Sequence, residues 1–475
     1  MVKKKESKIL LKLLVDKKKD QVVAAETGVD FMDILVSLLT LPMGTIIRLV
    51  EAEAGTVGCM NNLYQSVENL DEEDLYIEHC KTLLLNPINP YPKYCMKLKV
   101  NLDDSGSKYY KCSNCRYNSY YMDVECKCNG KYNKETFLKD SVENTCGDAY
   151  VFLKGGISFL ITDGLQVKVA SPSSLVQMLS NVGLSDMNQI EEMHVEIGKN
   201  EVIHLLVRSL ISKTPLSDVF LPKQKQKRAR VDTITMTEFG SSISENGTRN
   251  NTKKLELKLT VRKSTNMVLC AEAGNDFVDS LFNFLTIPLG SIEDVLKGNS
   301  GLGCIDNLYK SVENLDSKWF NTPPPDMNIH RHEKTLKMIL LKPGIAPNHK
   351  SKNLLLQINE GFELYFSDPR QSVGSNRSSE FEKFAKEPSL FYVLDNLEVR
   401  PLSSTSTICL LQQLNVPLHD IEEQMISVGE LEALSLLKAS LTSTSSALTA
   451  GLNHMLKKPR DEDVMSSAKK LHRAG

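Results

Sequence analysis

The chain carries one spacing that could do chemistry outright: Cys112-x2-Cys115, ten residues, then Cys126-x-Cys128. Four thiolates so spaced can surround Zn2+ tetrahedrally, with Zn–S distances of ~2.3 Å. All four positions would then be protein donors. None is left for water or substrate, so the expected zinc is structural. Tyr109, Tyr110, Tyr117, Tyr120 and Tyr121 flank the cysteines and Gly130 follows them. This suits a small ribbon of two hairpins, too thin to build a core without a metal. The second pair departs from the usual Cys-x2-Cys, and Cys80, Cys95 and Cys146 are spare thiols that could substitute. The alternative is four free thiols. A redox role for Cys112 and Cys115 is weaker, because no thioredoxin-like βαβ pattern surrounds them.

A second set is acidic. Glu26, Asp30 and Asp33 recur as Glu272, Asp276 and Asp279. Acid–base chemistry or a Mg2+ site at a strand–helix junction is one reading. The plainer one makes Asp30 an N-cap and sets Asp33 against the positive helix end. The spacing fits a helix start without further assumption, so capping is preferred. The nine histidines are scattered, and no nucleophile elbow, P-loop or Gly-x-Gly-x-x-Gly motif occurs. These residues support no catalytic assignment.

The elements that must position these groups come in two sets. Ile9, Leu11, Leu13 and Val15 alternate, then Lys17 to Asp20 break and Gln21 to Ala25 resume. This reads as a β-hairpin. Phe31, Ile34, Leu35, Leu38 and Leu39 form a helical stripe, and Asn61 to Leu70 a further helix. Asp163-Gly164 between apolar runs predicts a second hairpin with a type I′ turn. Helices over 173–181, ending at Gly183, and over 200–212 complete the set.

The whole arrangement then returns. Ser66-Val67-Glu68-Asn69-Leu70-Asp71 recurs unchanged as Ser311-Val312-Glu313-Asn314-Leu315-Asp316. Leu39-Thr40-Leu41-Pro42-Met43-Gly44 is answered by Leu285-Thr286-Ile287-Pro288-Leu289-Gly290. Packing accounts for Leu63, Val67 and Leu70. It does not require the same polar residues at Asn62, Ser66, Glu68, Asn69 and Asp71, which either bond locally or face the other copy or a partner. The expected architecture is α+β: two tandem homologous domains of antiparallel hairpins covered by helices. The first spans 1–221 with a zinc-knuckle insertion over about 108–132, and the second spans 253–456. A polar, basic linker over 222–252 joins them and a charged tail begins at 457. The second copy has no cysteine between Cys304 and Cys409, so the fold as a whole cannot depend on zinc.

The formal charge of -2, from 57 basic and 59 acidic residues, gives no global pull toward nucleic acid or anionic lipid. No apolar run approaches a membrane span of ~20 residues, and the start of the chain has no export signal. The expectation is a cytoplasmic protein, entering the nucleus if the basic run from Lys223 to Arg230 is read as an import signal. With eleven cysteines in a reducing compartment, thiols or metal ligands precede disulfides.

The patterns Leu11-Lys12-Leu13-Leu14-Val15-Asp16-Lys17, Ala25-Glu26-x-Gly28-x-Asp30-Phe31, Leu39-Thr40-Leu41-Pro42-x-Gly44 and Asn62-Leu63-Tyr64-x-Ser66-Val67-Glu68-Asn69-Leu70-Asp71 resemble the plant-specific domain of unknown function 674. The resemblance covers nearly the whole chain and implies a plant protein with tandem copies. It brings no activity, substrate or catalytic residue. The function expected from the residues is therefore non-enzymatic: an interaction or regulatory protein with an unidentified protein partner. The paired copies would form either an intramolecular pair or two similar docking faces. One rival is nucleic-acid binding through Lys108, Lys111, Arg116, Lys127, Lys131 and the linker. The other is an enzyme built on Glu26, Asp30 and Asp33.

Overall fold

The computed structural model describes residues 8–457, apart from 51–56, 123, 127, 139–149, 185, 222–252, 323–334, 347–348, 352–353, 362–365, 371–381, 388, 404–407, 409–411 and 413–415. The linker, the basic run, the tail beyond Lys457, Lys127, Cys146 and Cys409 lie outside the described residues.

The alternation of Ile9, Leu11 and Leu13 makes β1 (Ile9–Asp16), whose inner side chains are buried. It turns at Asp20, which takes a left-handed φ of 49°, into β2 (Gln21–Thr27). Three short strands follow in the cysteine segment: β3 (Lys108–Cys112), β4 (Asn118–Ser119) and β5 (Tyr132–Phe137). β6 (Phe159–Thr162), β7 (Val167–Val169) and β8 (Ile190–Ile197) complete the first half. The main sheet is antiparallel, in the order β7-β6-β2-β1-β8. Its inner face packs on the helices. Its outer face is covered locally where Met178, on the helix Pro172–Asn181, sits over Leu14, Ala24 and Leu160. That explains why Leu14 interrupts the polar alternation.

The second half repeats this plan. β9 (Leu255–Arg262), β10 (Met267–Gly274), β11 (Leu390–Leu394), β12 (Val399–Pro401) and β13 (Ile421–Val428) form a five-stranded sheet in the order β12-β11-β10-β9-β13. The register matches as well. Leu13 faces Ala25 and Leu259 faces Ala271, and each hairpin has a bulge near its turn.

One expectation is corrected. Asp163-Gly164 does make a hairpin, but the turn is not type I′. The positive φ falls on Leu165 (60°), whose N–H bonds Thr162 O at 2.9 Å, and Leu397 (63°) does the same in the second half. Both leucines are fully buried, so core packing outweighs the cost of a left-handed non-glycine residue.

The two halves share one hydrophobic core. A continuous cluster contains Leu11, Phe31, Leu63 and Phe159 together with Leu259, Phe277, Leu308 and Phe391. At its centre Pro42 and Pro288 pair as an isolated antiparallel bridge. Met43 N–H bonds Ile287 O at 3.1 Å and Leu289 N–H bonds Leu41 O at 3.0 Å. The repeated Leu-Pro-x-Gly motifs therefore meet each other. Their glycines have a steric reason: a Cβ at Gly290 would lie 2.4 Å from Leu340 O, and one at Gly44 would lie 2.7 Å from Leu84 O.

Candidate metal centre

Two tight loops bring the cysteines together. Cys112 ends β3 and its N–H bonds Tyr117 O at 3.0 Å, closing the first loop. Cys126 N–H bonds Gly130 O at 3.1 Å, with Asn129 at a φ of 60°, closing the second. Gly130 lies so close that a Cβ there would sit 2.6 Å from Cys112 Sγ. The four Sγ atoms of Cys112, Cys115, Cys126 and Cys128 fall within 4.8 Å of one another. Cys112–Cys128 and Cys115–Cys126 are each 3.4 Å apart, and Cys126–Cys128 is 3.5 Å. A tetrahedron with Zn–S of ~2.3 Å has an edge of about 3.8 Å, a few tenths of an ångström longer than these three separations and inside the 4.8 Å limit. The four residues can hold one metal ion.

The electrostatics favour a thiolate at Cys112 and oppose one at Cys115 and Cys128. Burial pushes the Cys112 thiol up, but the N–H groups of Asn114 and Cys115 and the Cys128 thiol outweigh it and bring it to about 7. Cys115 moves the other way, to about 12, through burial and the neighbouring thiols that would share its negative charge. A divalent cation removes that conflict, because it is the positive charge the cluster lacks. The expected substitutes are elsewhere. Cys80 is buried against Lys383 O, and Cys95 is buried beside Thr40 and Asn89.

The segment is a three-stranded sheet, order β4-β3-β5, reaching Phe137, rather than two separate hairpins. Its own core is small: Cys112, Val124, Cys126 and Tyr132. Most flanking tyrosines turn inward. Tyr120 stacks on Phe366 at 4.2 Å, Tyr109 meets the same ring edge-on at 5.8 Å, and Tyr121 packs on His79 at 4.8 Å. These three rings are therefore engaged by protein and not presented for base stacking.

The acidic set does not form a site. Glu26 pairs with Lys12 at 3.5 Å and Asp30 with Lys99 at 2.5 Å. Asp30 is not the N-cap. Gly28 holds that position without a side-chain bond, because the helix starts at Val29, one residue before the acid. Asp33 does not serve the helix end either. It is buried and accepts the N–H groups of Val151, Phe152 and Leu153 at 2.6, 3.0 and 2.9 Å. Burial nonetheless pushes it up to about 7. Asp279 repeats this on Phe384 and Ala385. Sequence reasoning missed this role because each acceptor and its amides are more than a hundred positions apart.

The segments so held are the ones that join the halves. Lys154 N–H bonds Trp319 O and Asn321 N–H bonds Phe152 O, each at 2.9 Å. Tyr76 N–H bonds Phe384 O at 2.8 Å and Lys386 N–H bonds Asp74 O at 2.9 Å. The repeated polar residues do the same work. Asn62 donates to Asn396 O and Asn307 to Gly164 O, each at 2.9 Å. Ser66 Oγ accepts Val399 N–H, and Ser311 Oγ accepts Val167 N–H, each at 2.9 Å. Each thereby caps an edge strand of the opposite sheet. Asn69 and Asp71 stay exposed.

Fold and site define an α+β protein of two antiparallel sheets around a shared core, with a compact four-cysteine centre. The chain belongs to the family described as protein of unknown function (DUF674), whose model matches residues 5–431. No curated protein and no solved structure matches it. Among the described residues no helix is long and apolar enough to cross a membrane.

Proposed function

We propose that the chain is a non-enzymatic interaction or regulatory protein made of two tandem copies, 1–221 and 253–456, with a structural zinc ion on Cys112, Cys115, Cys126 and Cys128. The observation that carries this reading is the closure of the four Sγ atoms within 4.8 Å on a sheet with almost no core of its own. Four protein donors leave no open position, so zinc would hold the fold there and would not activate water. Glu26, Asp30 and Asp33, the carboxylates of the enzyme alternative, are engaged in ion pairs and by backbone amides. A protein partner has two comparable faces to use. β8 and β13 each pair on one side only among the described residues, which leaves an edge able to accept an added strand. The nucleic-acid alternative rests on Lys108, Lys111, Arg116, Lys127, Lys131 and the linker, and would work without base stacking on Tyr109, Tyr120 and Tyr121, which are engaged within the protein.

Plasma mass spectrometry of the full chain, purified under reducing conditions, tests the metal. About one zinc per chain is expected, lost in Cys112→Ser and in Cys126→Ser. A metal-free protein kept reduced throughout would sink the reading.

A further inference from the structure

The cysteine segment belongs to the first half by sequence, yet its inner face rests on the second. Three kinds of contact converge on two residues there. Ser367 N–H bonds Asn118 O at 2.8 Å, and Asn118 pairs with Phe366 as a parallel bridge. The Phe366 ring contacts both Tyr120 and Tyr109. The Tyr132 hydroxyl bonds Ser367 Oγ.

These docking residues are interleaved with the thiols. Tyr132 is the register partner of Cys112 across β3 and β5 and packs in one cluster with Cys112 and Cys126. Asn118 faces Lys111, the residue before Cys112. The positions that touch Phe366 and Ser367 are thus strand neighbours of Cys112 and of the residue before it.

We propose that Phe366 and Ser367 are positioning residues for the four-cysteine centre, so that metal binding and the docking of this segment on the second half are one coupled event. The inference rests on the zinc reading above. It adds that the site is completed by residues more than two hundred positions away. Coupling between two such events is reciprocal. Whatever the metal contributes to docking, docking contributes to metal affinity by the same factor.

The test uses full-length protein and zinc alone, with affinity read by competition against a chromogenic chelator. Phe366→Ala and Ser367→Ala are expected to weaken zinc binding about fivefold or more, the lower end of ordinary coupling between sites. Phe366→Tyr keeps the ring and should keep the affinity, as should Lys134→Ala on the exposed side of β5. In parallel, hydrogen exchange of the unaltered protein should show faster uptake over 366–370 when zinc is chelated. This reading needs no variant to fold. Native affinity in both alanine variants, or unchanged exchange over 366–370, overturns the proposal while leaving the zinc reading intact. A wild-type chain that binds no zinc overturns both.

Discussion

At the scale of single residues, the buried carboxylates are the most informative. Asp33→Ala would strip the amides of Val151, Phe152 and Leu153 of their acceptor. A loss of at least ~2 kcal/mol is expected in urea denaturation, and a loss within ~0.5 kcal/mol would refute the role. Glu293 gives a pH prediction. It is fully buried, bonds Ser300 at 2.6 Å, and is raised to about 8 by burial and then by Asp306, with Lys310 opposing. A raised carboxyl contributes stability below its unfolded value of ~4.3, and that contribution is lost as pH rises through the folded value. Glu293→Gln removes this dependence. Its melting temperature should therefore gain on the native protein between about pH 5 and about pH 9. A constant difference would contradict the assignment. Asp33 and Asp279, at about 7, and Asp395, at about 6, act with the same sign on the native protein. The recurrence of Asp33 was legible in the sequence, but its role was not. A carboxylate one turn into a helix looks alike whether it serves that helix or a distant strand.

At the scale of elements, strands and helices were legible wherever one face is buried. Ile9, Leu11 and Leu13 declare β1, and Leu63 and Val67 declare the helix Met60–Asn69. The turn after β6 was read correctly in place and wrongly in type. Local preference puts positive φ on Asp163 and Gly164, whereas burial of Leu165 moves it one residue on. The polar half of the repeated Ser66–Asp71 motif becomes clear only when the opposite edge strands are in view. Ser66→Ala and Ser311→Ala should each cost ~1–3 kcal/mol, because each leaves a buried amide without an acceptor. Exposed Asn69→Ala should stay within ~0.5 kcal/mol. Equal effects at Ser66 and Asn69 would remove the distinction between clamp and surface. Gly290→Ala should cost ~1–3 kcal/mol, since Leu340 O occupies the place of the new methyl group. Equilibrium denaturation would show an unchanged midpoint if that approach were slack.

At the scale of the whole molecule, the recurrence of motifs was legible and the way the two halves meet was not. Recurring motifs leave a trace in the order of residues, but the contact between the halves has no period of its own. Its evidence is geometric: Pro42 against Pro288, the reciprocal Asn62 and Asn307 bonds, and the cysteine segment resting on Phe366. One hydrophobic core runs through both halves, so they are expected to unfold together. Scanning calorimetry of the full, zinc-supplemented chain tests this most directly. A single transition is expected, with calorimetric and van't Hoff enthalpies that agree. Two resolved transitions, each with its own enthalpy, would contradict it.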